Sequence, residues 1–485
     1  MDWFKVMWDC IITLNTVLAV VTVFRQHRDI STTWAWLLVL VMLPVIGFIL
    51  YLFTGRGLGR EKIFNLEHQD RTGLAQMIAS QRKDDIEFAT PISENMTANA
   101  SSLVHFFEMT DQAPLTKRNK VEIFTDGEEK FAALFKDIRQ AKHSIHVEYY
   151  TIYNDQIGNE LLRILEQKAK EGVEVRVLYD AFGSHGTTAK WFRTLESLGG
   201  QAATFITSHN SITKTRLNYH VHRKIVVVDG QIGYTGGFNV GDQYLGRSKK
   251  FGYWRDTHLR IIGTGVMALQ THFIMDWNAS VKEDRHLNYQ LRFFPTPLRP
   301  KDATTALQIV TSGPSAQKEQ IKSGYIKMIS MAKKNVWIQS PYLVPDESVL
   351  SALTIAAESG IDVRIMIPNM PDHPFIYRAT QYYAKILFAA GVKIYIYEKG
   401  FLHAKTVVTD GKLATVGSAN QDFRSYKLNF EVNAFLYDIK VARQLARIFE
   451  KDMTDSRLLT QAEIDDQSRW LVLKQNFSRL LSPVL

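Results

Sequence analysis

The chain has 485 residues and a single cysteine, Cys10, so no intramolecular disulfide can form and the redox compartment is left open. Its 28 glycines and 13 prolines are too few for a collagen-like or low-complexity polymer. With 46% hydrophobic and 22% charged residues it is neither a disordered chain nor a small disulfide-rich scaffold. Neither sign of charge dominates: 58 Lys and Arg against 49 Asp and Glu leave a net +9. That excess fits an anionic partner, nucleic acid or an acidic lipid surface, and it also fits a solvated surface of mixed sign. What is present is ordinary globular composition in a chain long enough for two domains or two fused halves.

Charge is missing altogether from the run WAWLLVLVMLPVIGFILYLF, residues 34–53. Twenty such residues cross about 30 Å of hydrocarbon as a helix. Pro44 and Gly47 are tolerable inside it, and Trp34, Trp36 and Tyr51 near its ends suit the interface. A more polar apolar stretch, about 6–24, contains Asp9 and Asn15 and is followed by Arg25, His27 and Arg28 rather than a small-residue cleavage site. Residues 1–55 are therefore expected to form a two-helix transmembrane hairpin with spans at about 6–24 and 34–53. Lys5, Arg56, Arg60 and Lys62 on one side outnumber Arg25 and Arg28 in the loop, which favours a cytoplasmic catalytic region in a multi-pass protein of the cell membrane. Residues 56–118 read as a polar, partly helical linker with breaks at Pro91 and Pro114.

The remainder contains an internal duplication. Ala141-Lys142-His143-Ser144-Ile145-His146-Val147 resembles Ala332-Lys333-Lys334-Asn335-Val336-Trp337-Ile338, and Gly172-Val173-Glu174-Val175-Arg176-Val177 resembles Gly360-Ile361-Asp362-Val363-Arg364-Ile365. The copies keep their order, so residues 119–290 and 306–485 read as two similar halves joined by a proline-rich connection at about 284–305. Strands are expected at 145–152, 173–179 and 392–397, and helices at 158–171, 190–198, 348–358 and 379–390. Such alternation predicts an α/β fold with helices on the faces of a sheet.

The duplication carries a motif. His222-Arg223-Lys224 is followed after four residues by Asp229 and after six more by Gly236-Gly237-Phe238-Asn239. His403-Ala404-Lys405, Asp410 and Gly417-Ser418-Ala419-Asn420 repeat these spacings. One HxK alone carries almost no information; two full copies at matching places in a duplicated chain carry a great deal. Read as the start of a strand, HxK puts imidazole and ammonium on one face. Two halves facing across a pseudo-twofold would then gather two His, two Lys and two Asn, a set suited to a phosphodiester. Lys and Asn donors can hold the non-bridging oxygens. One His can attack phosphorus, and the other can protonate the leaving alcohol and then deprotonate the incoming one. Asp229 and Asp410, each followed by glycine, fit turn caps about as well as a catalytic part. His220 and His258 have no matching partners and read as local structure. Glu148 fits packing as well as site lining, and Arg424 and Lys427 read as a solvated face, with lipid headgroups as the alternative.

Through both HxKxxxxDx6G(G/S)xN motifs, residues 119–485 resemble the phospholipase D superfamily. The resemblance implies two fused α/β halves of that type related by a pseudo-twofold. It implies His222 and His403 as nucleophile and general acid/base, with His222 taken as the nucleophile. Lys224, Lys405, Asn239 and Asn420 match its phosphate-binding positions, and Asp229 and Asp410 match its motif aspartates. Asp256 and Glu431 match the downstream acids that orient the histidines. Gly237 departs from the pattern by standing where the second motif has Ser418.

Thr33-Trp34-Ala35-Trp36, Leu43-Pro44, Gly400-Phe401-Leu402-His403, Asn420-Gln421-Asp422-Phe423-Arg424-Ser425 and Leu480-Leu481-Ser482-Pro483 are similar to the bacterial cardiolipin synthases. That resemblance covers essentially the whole chain. It implies transfer of a phosphatidyl group from one phosphatidylglycerol to another, giving cardiolipin and glycerol, with no metal, no nucleotide cofactor and no nucleic acid. The implied partners are phosphatidylglycerol, cardiolipin and the bilayer. A hydrolytic phospholipase D shares every motif and is the nearest alternative; a membrane-tethered nuclease and an inactive scaffold are the others.

Overall fold

The structure is a computed structural model that describes residues 30–43, 98–111, 113–205, 219–314 and 318–482, with single positions elsewhere in the first 47. Most of the expected span at 6–24, and the 34–53 span beyond Leu43 apart from Gly47, lie outside the described residues. The N-terminal segment contributes the helix Ile30–Met42, which begins four residues ahead of the expected Trp34. Leu40 is buried in it against Trp36 and Leu37. Among the described residues no helix is long and apolar enough to cross a membrane.

The α/β region is laid out twice. The first half supplies β1 (Thr116–Phe124), β2 (Ser144–Tyr149), β3 (Glu174–Tyr179), β4 (Gln201–Thr204), β5 (Lys224–Val228), β6 (Ile232–Gly236), β7 (Tyr253–Arg255) and β8 (His258–Ile262). The second supplies β9 (Thr305–Ser312), β10 (Asn335–Gln339), β11 (Leu343–Val344), β12 (Asp362–Pro368), β13 (Lys393–Tyr397), β14 (Gly400–Leu402), β15 (Thr406–Thr409), β16 (Leu413–Gly417), β17 (Gln421–Asp422), β18 (Glu431–Leu436) and β19 (Ser456–Leu458). One 15-stranded sheet runs β4-β3-β2-β5-β6-β8-β1 and then β9-β18-β16-β15-β10-β12-β13-β19. Read outward from the β1–β9 seam the two halves have the same order, with β19 added at one edge. Within each half the outer strands are parallel, β2-β3-β4 and β10-β12-β13, and the strands nearer the seam are antiparallel. The seam itself is antiparallel, Thr116 opposite Leu307 and Asn119 opposite Thr305.

Sequence explains the layering. Helix Gln156–Lys170 places Ile157, Leu161, Leu162, Leu165 and Ala169 on one face, is capped by the Asp155 side chain on the Gly158 N–H, and is followed by Gly172 at φ 88°. That face packs with Ile145, Val147 and Tyr149 of β2. Alternate residues of β2 point the other way: His146 bonds Gln270 and stacks on Phe273 of the helix Val266–Ser280. Helices therefore cover both faces, and β2, β5, β15, β16 and β18 are buried along their whole lengths. Burying each Leu, Ile, Val or Phe contributes about 1.5–3 kcal/mol.

Two expectations are corrected. The linker is shorter than 56–118, because helix Ala98–Thr110 buries Leu103, Val104 and Phe107 in the core of the second half, and the Gln308 amide donates to the Val104 and Ala113 carbonyls. Residues 190–198 form a 3-10 turn, Ala189–Phe192, running into a short α-helix, Arg193–Ser197, rather than one helix.

Candidate active site

Both histidines lie on extended residues just ahead of β5 and β15 rather than within those strands. Each HxK segment is hydrogen-bonded to the opposite half. The His222 N–H donates to the Phe430 carbonyl at 2.9 Å, and the Phe430 N–H donates to the His220 carbonyl at 2.9 Å. The His403 N–H donates to the Arg255 carbonyl at 2.7 Å, where β14 runs parallel to β7. Phe430 and Arg255 immediately precede Glu431 and Asp256, so the backbone pairing brings each acid against the histidine of the other half.

His222 Nδ1 lies 2.8 Å from Glu431 Oε2 and 2.9 Å from Oε1, and His403 Nδ1 lies 2.6 Å from Asp256 Oδ2. Both acids are fully buried. Glu431 also accepts from the Ser418 hydroxyl and, at 3.2 Å, from the Asn429 amide. Asp256 accepts from the Thr257 N–H at 2.7 Å. A carboxylate on Nδ1 fixes the tautomer with the proton there and leaves Nε2 as a lone pair. The Gly237 departure has a steric cause: a Cβ at that position would stand 1.9 Å from Asp256 Oδ1. The first motif therefore has glycine where its acid closes in, and the second has a serine that reaches its acid with a hydroxyl.

The lysine Nζ atoms fold back onto the carbonyls of their own histidines, at 2.6 Å for Lys224 to His222, and likewise for Lys405 to His403. Lys405 Nζ also lies 2.9 Å from His403 Nδ1. Burial pulls the Lys224 ammonium down to about 7 and the Lys405 ammonium to about 8, although Glu431 and Asp256 oppose the shift in both. Burial holds both imidazoles at about 4, against the opposing pull of Glu431 on His222 and of Asp256 on His403. Burial would raise both acids, yet Lys405 and His403 hold Asp256 below its ordinary value, and His222 and Lys224 do the same for Glu431. The Lys405 charge bears on His222 and on Lys224 as well as on its own half. The two motifs thus form one electrostatic site. Asn239 and Asn420, at the ends of the motifs, are buried; the Asn239 amide donates to the Tyr244 hydroxyl at 3.2 Å.

Comparison with known proteins gives the family. The family model described as cardiolipin synthase, phospholipase D-like domain, matches twice, at 134–253 and 325–453. A second, phospholipase D-nuclease N-terminal, matches 14–56. A cardiolipin synthase of Listeria innocua is 50% identical over 475 residues, 98% of each chain. One of Staphylococcus aureus is 48% identical over 97% of this chain and 95% of its own. The chain belongs to the cardiolipin synthase family. A crystal structure of phosphatidylserine synthase from Haemophilus influenzae shares the fold, with a TM-score of 0.60 at 15% identity over 79% of this chain and all of that one.

Within the chain the structure brings His222, Lys224, His403, Lys405, Asp256 and Glu431 together. It does not bring Asp229 and Asp410 to them. Both aspartates sit at the far ends of β5 and β15, about 17 Å of strand from the motif lysines. Asp229 (φ 53°) and Gly230 (φ 66°), like Asp410 (φ 56°) and Gly411 (φ 60°), occupy tight left-handed turns. Their carboxylates accept backbone N–H groups: Lys142, His143 and Ser144 at 2.7–2.9 Å for Asp229, and Lys333, Lys334 and Asn335 at 2.8–3.0 Å for Asp410. This is the turn-cap alternative, and it ties each hairpin to the start of β2 or β10. Asp229→Asn is accordingly expected to cost about 1–2 kcal/mol of stability while turnover per folded molecule stays within about threefold. Denaturant unfolding beside specific activity checks this.

Sequence reasoning missed Asp180 and Tyr150. Asp180 Oδ2 lies 3.2 Å from His220 Nδ1, and Tyr150 meets both His220 and His222 edge-on. Neither stands in a motif; the only signal was a carboxylate at the carboxyl end of a parallel strand. His258 is buried against Gly236, as a local packing residue. Glu148 is a core group beside Asp276 and Arg223, and burial pushes its carboxyl well above the usual range. Arg424 is half-buried close to Tyr150, Asp422 and Asp180 rather than on an open face, whereas Lys427 reaches Glu319 at 3.6 Å.

Proposed function

We propose that the chain makes cardiolipin and glycerol from two phosphatidylglycerols through a phosphohistidine on His222. The observation that carries this is the crossed pair of buried histidine–carboxylate contacts beside two buried lysines. With Nδ1–H held by Glu431, Nε2 of His222 attacks phosphorus. The P–O bond to the glycerol headgroup breaks as His403 gives its proton to the leaving oxygen. The negative charge of a docked phosphodiester favours the imidazolium form that His403 needs. In the second step the primary hydroxyl of another phosphatidylglycerol loses its proton to His403, its oxygen bonds phosphorus, and the N–P bond breaks. Lys224, Lys405, Asn239 and Asn420 hold the non-bridging oxygens. One phosphodiester is exchanged for another, so no external energy source enters the balance.

The reading places the site at a bilayer, with residues 1–55 as a two-span anchor and the catalytic halves on the cytoplasmic side. Burial of all four cationic or nucleophilic side chains supports a dry site in which a lipid alcohol competes successfully with water. Full-length protein incubated with phosphatidylglycerol vesicles, without metal or nucleotide, should yield cardiolipin with about one glycerol per product. Phosphatidic acid as the main product would move the function to hydrolysis.

The pH profile follows from the same groups. His222 must be neutral to attack, and protonation removes it below about 4. The lysines must be charged, and that charge is lost as pH rises through about 7 for Lys224 and about 8 for Lys405. kcat/KM, which reports the free enzyme, also needs the His403 imidazolium, whose value is likewise about 4; it should therefore peak near 4, fall above it as His403 loses its proton, and fall more steeply between about 7 and 8 as the lysines lose their charge. kcat should hold to higher pH, because bound phosphate favours the ammonium forms. A kcat/KM that still climbs at pH 9 would contradict the assignment.

A further inference from the structure

The last described helix, Arg469–Leu480, is inside out. It buries Gln475 and Ser478 and leaves Trp470 63%, Leu473 56%, Phe477 55% and Leu480 71% exposed. Those four recur at helical spacing, so they form one apolar stripe. The polar face is held by its neighbour, helix Pro374–Ala389: Lys385 donates to Gln475, Gln475 donates to Gln381 at 3.3 Å, and Arg479 donates to the Tyr382 hydroxyl at 2.9 Å. A hydrophobic stripe facing outward on a helix anchored by its polar side is costly in water and needs an apolar covering.

Charge says what covers it. The two helices carry Arg378, Lys385, Arg469, Lys474 and Arg479 and no acidic residue. Lys474 lies over the Trp470 ring at 5.1 Å, with its ammonium at the edge of the stripe. Aromatic and aliphatic side chains flanked by cations match an anionic lipid surface, with rings at headgroup level and bases on phosphates.

The position is also informative. Helix Pro374–Ala389 starts two residues after Asp372, whose charge bears on both His403 and Lys405. Phe375 in its first turn is 47% exposed. Its buried Thr380 hydroxyl accepts the Leu343 N–H of β11 at 3.1 Å, and β11 pairs with β17, directly after Asn420. The helix that holds the stripe therefore connects, through Asp372 and through β11 and β17, to the residues around His403, Lys405 and Asn420.

We infer that the Arg469–Leu480 helix docks the catalytic unit onto an anionic bilayer surface, so that the His403 side of the site opens at the lipid headgroups. Its consequence for rate rests on the lipid-substrate reading above; the docking itself does not. The test uses the full chain with Cys10→Ser and a single new cysteine, Leu473→Cys or, as a control on the side of the Asp229 turn, Lys142→Cys. Each is labelled with a fluorophore and reconstituted into phosphatidylglycerol–phosphatidylcholine vesicles with or without brominated acyl chains. Quenching of at least twofold at position 473 and none at 142 is expected. Equal quenching at both positions, or none at 473, overturns the proposal; self-cross-linking at 473 without quenching assigns the stripe to a second copy of the chain instead. In parallel, the double variant Leu473→Glu, Phe477→Glu should lose at least tenfold in rate on vesicles. On short-chain phosphatidylglycerol below its critical micelle concentration it should stay within twofold of wild type. Equal rates to wild type on both substrates, or equal losses on both, also overturn it. If the product is phosphatidic acid, the quenching result is unaffected, so the two readings fail separately.

Discussion

His222→Ala and His403→Ala are each expected to lower phosphatidyl transfer by about a thousandfold or more while leaving a folded protein. Removing the nucleophile removes the covalent path, and removing the acid leaves a glycerol alkoxide as leaving group. Folding should survive because neither acid is orphaned. Glu431 keeps Ser418 and Asn429, and Asp256 keeps the Thr257 N–H. The two variants should differ in one respect. A phosphatidyl ester of nitrophenol needs no proton on its leaving oxygen, so His403→Ala should still release nitrophenol in a first turnover at near wild-type rate. His222→Ala should release none. A stopped-flow trace separates them, and the opposite pattern would exchange the roles of the two histidines.

Glu431→Gln and Asp256→Asn are expected to cost about a thousandfold to ten-thousandfold each, the upper figure being the loss when a histidine-orienting aspartate becomes asparagine elsewhere. An amide can turn either its oxygen or its nitrogen to Nδ1, so the tautomer is no longer fixed, and the imidazolium formed during transfer loses its counter-charge. Glu431 raises the His222 value against the pull of burial. Without it His222 should protonate at still lower pH, so the acid limb of kcat/KM moves down while the maximum falls. An unchanged limb with reduced rate would indicate a purely structural acid. Because Glu431 serves the first half and Asp256 the second, each variant damages the histidine of the other motif.

That exchange was not legible in the sequence. Order along the chain places Asp256 after His222 and Glu431 after His403, and nothing in the spacing shows that the contacts cross. The crossing follows from tertiary pairing, Phe430 beside residues 220–222 and β14 beside β7. The doubled motif, by contrast, was fully visible, because identical spacing in two copies requires no knowledge of contacts. So were the alternating elements, since β2, β3 and their second-half counterparts carry β-branched residues at alternate positions, each followed by a helix or a glycine-ended turn. Helix Ala98–Thr110 was hidden by weak periodicity: its buried Leu103, Val104 and Phe107 share their turns with Ser101, Ser102 and His105. The place of the motif aspartates in the pattern left a catalytic part and a turn cap both open. Only backbone geometry shows their carboxylates taken up by N–H groups at the other end of the strand. Gly237 likewise gains a reason only once Asp256 is beside it.

The central claim, covalent exchange on a histidine, is tested most directly by rapid quench. Full-length enzyme is mixed with phosphatidylglycerol labelled at phosphorus and stopped within one turnover in alkaline denaturant, where a phosphohistidine survives. Peptide mapping should then find the label on the segment containing His222, at a level that rises and decays with the kinetics of cardiolipin formation. Cardiolipin formed at the normal rate with no protein-bound phosphorus would contradict the account and require direct displacement by the second lipid.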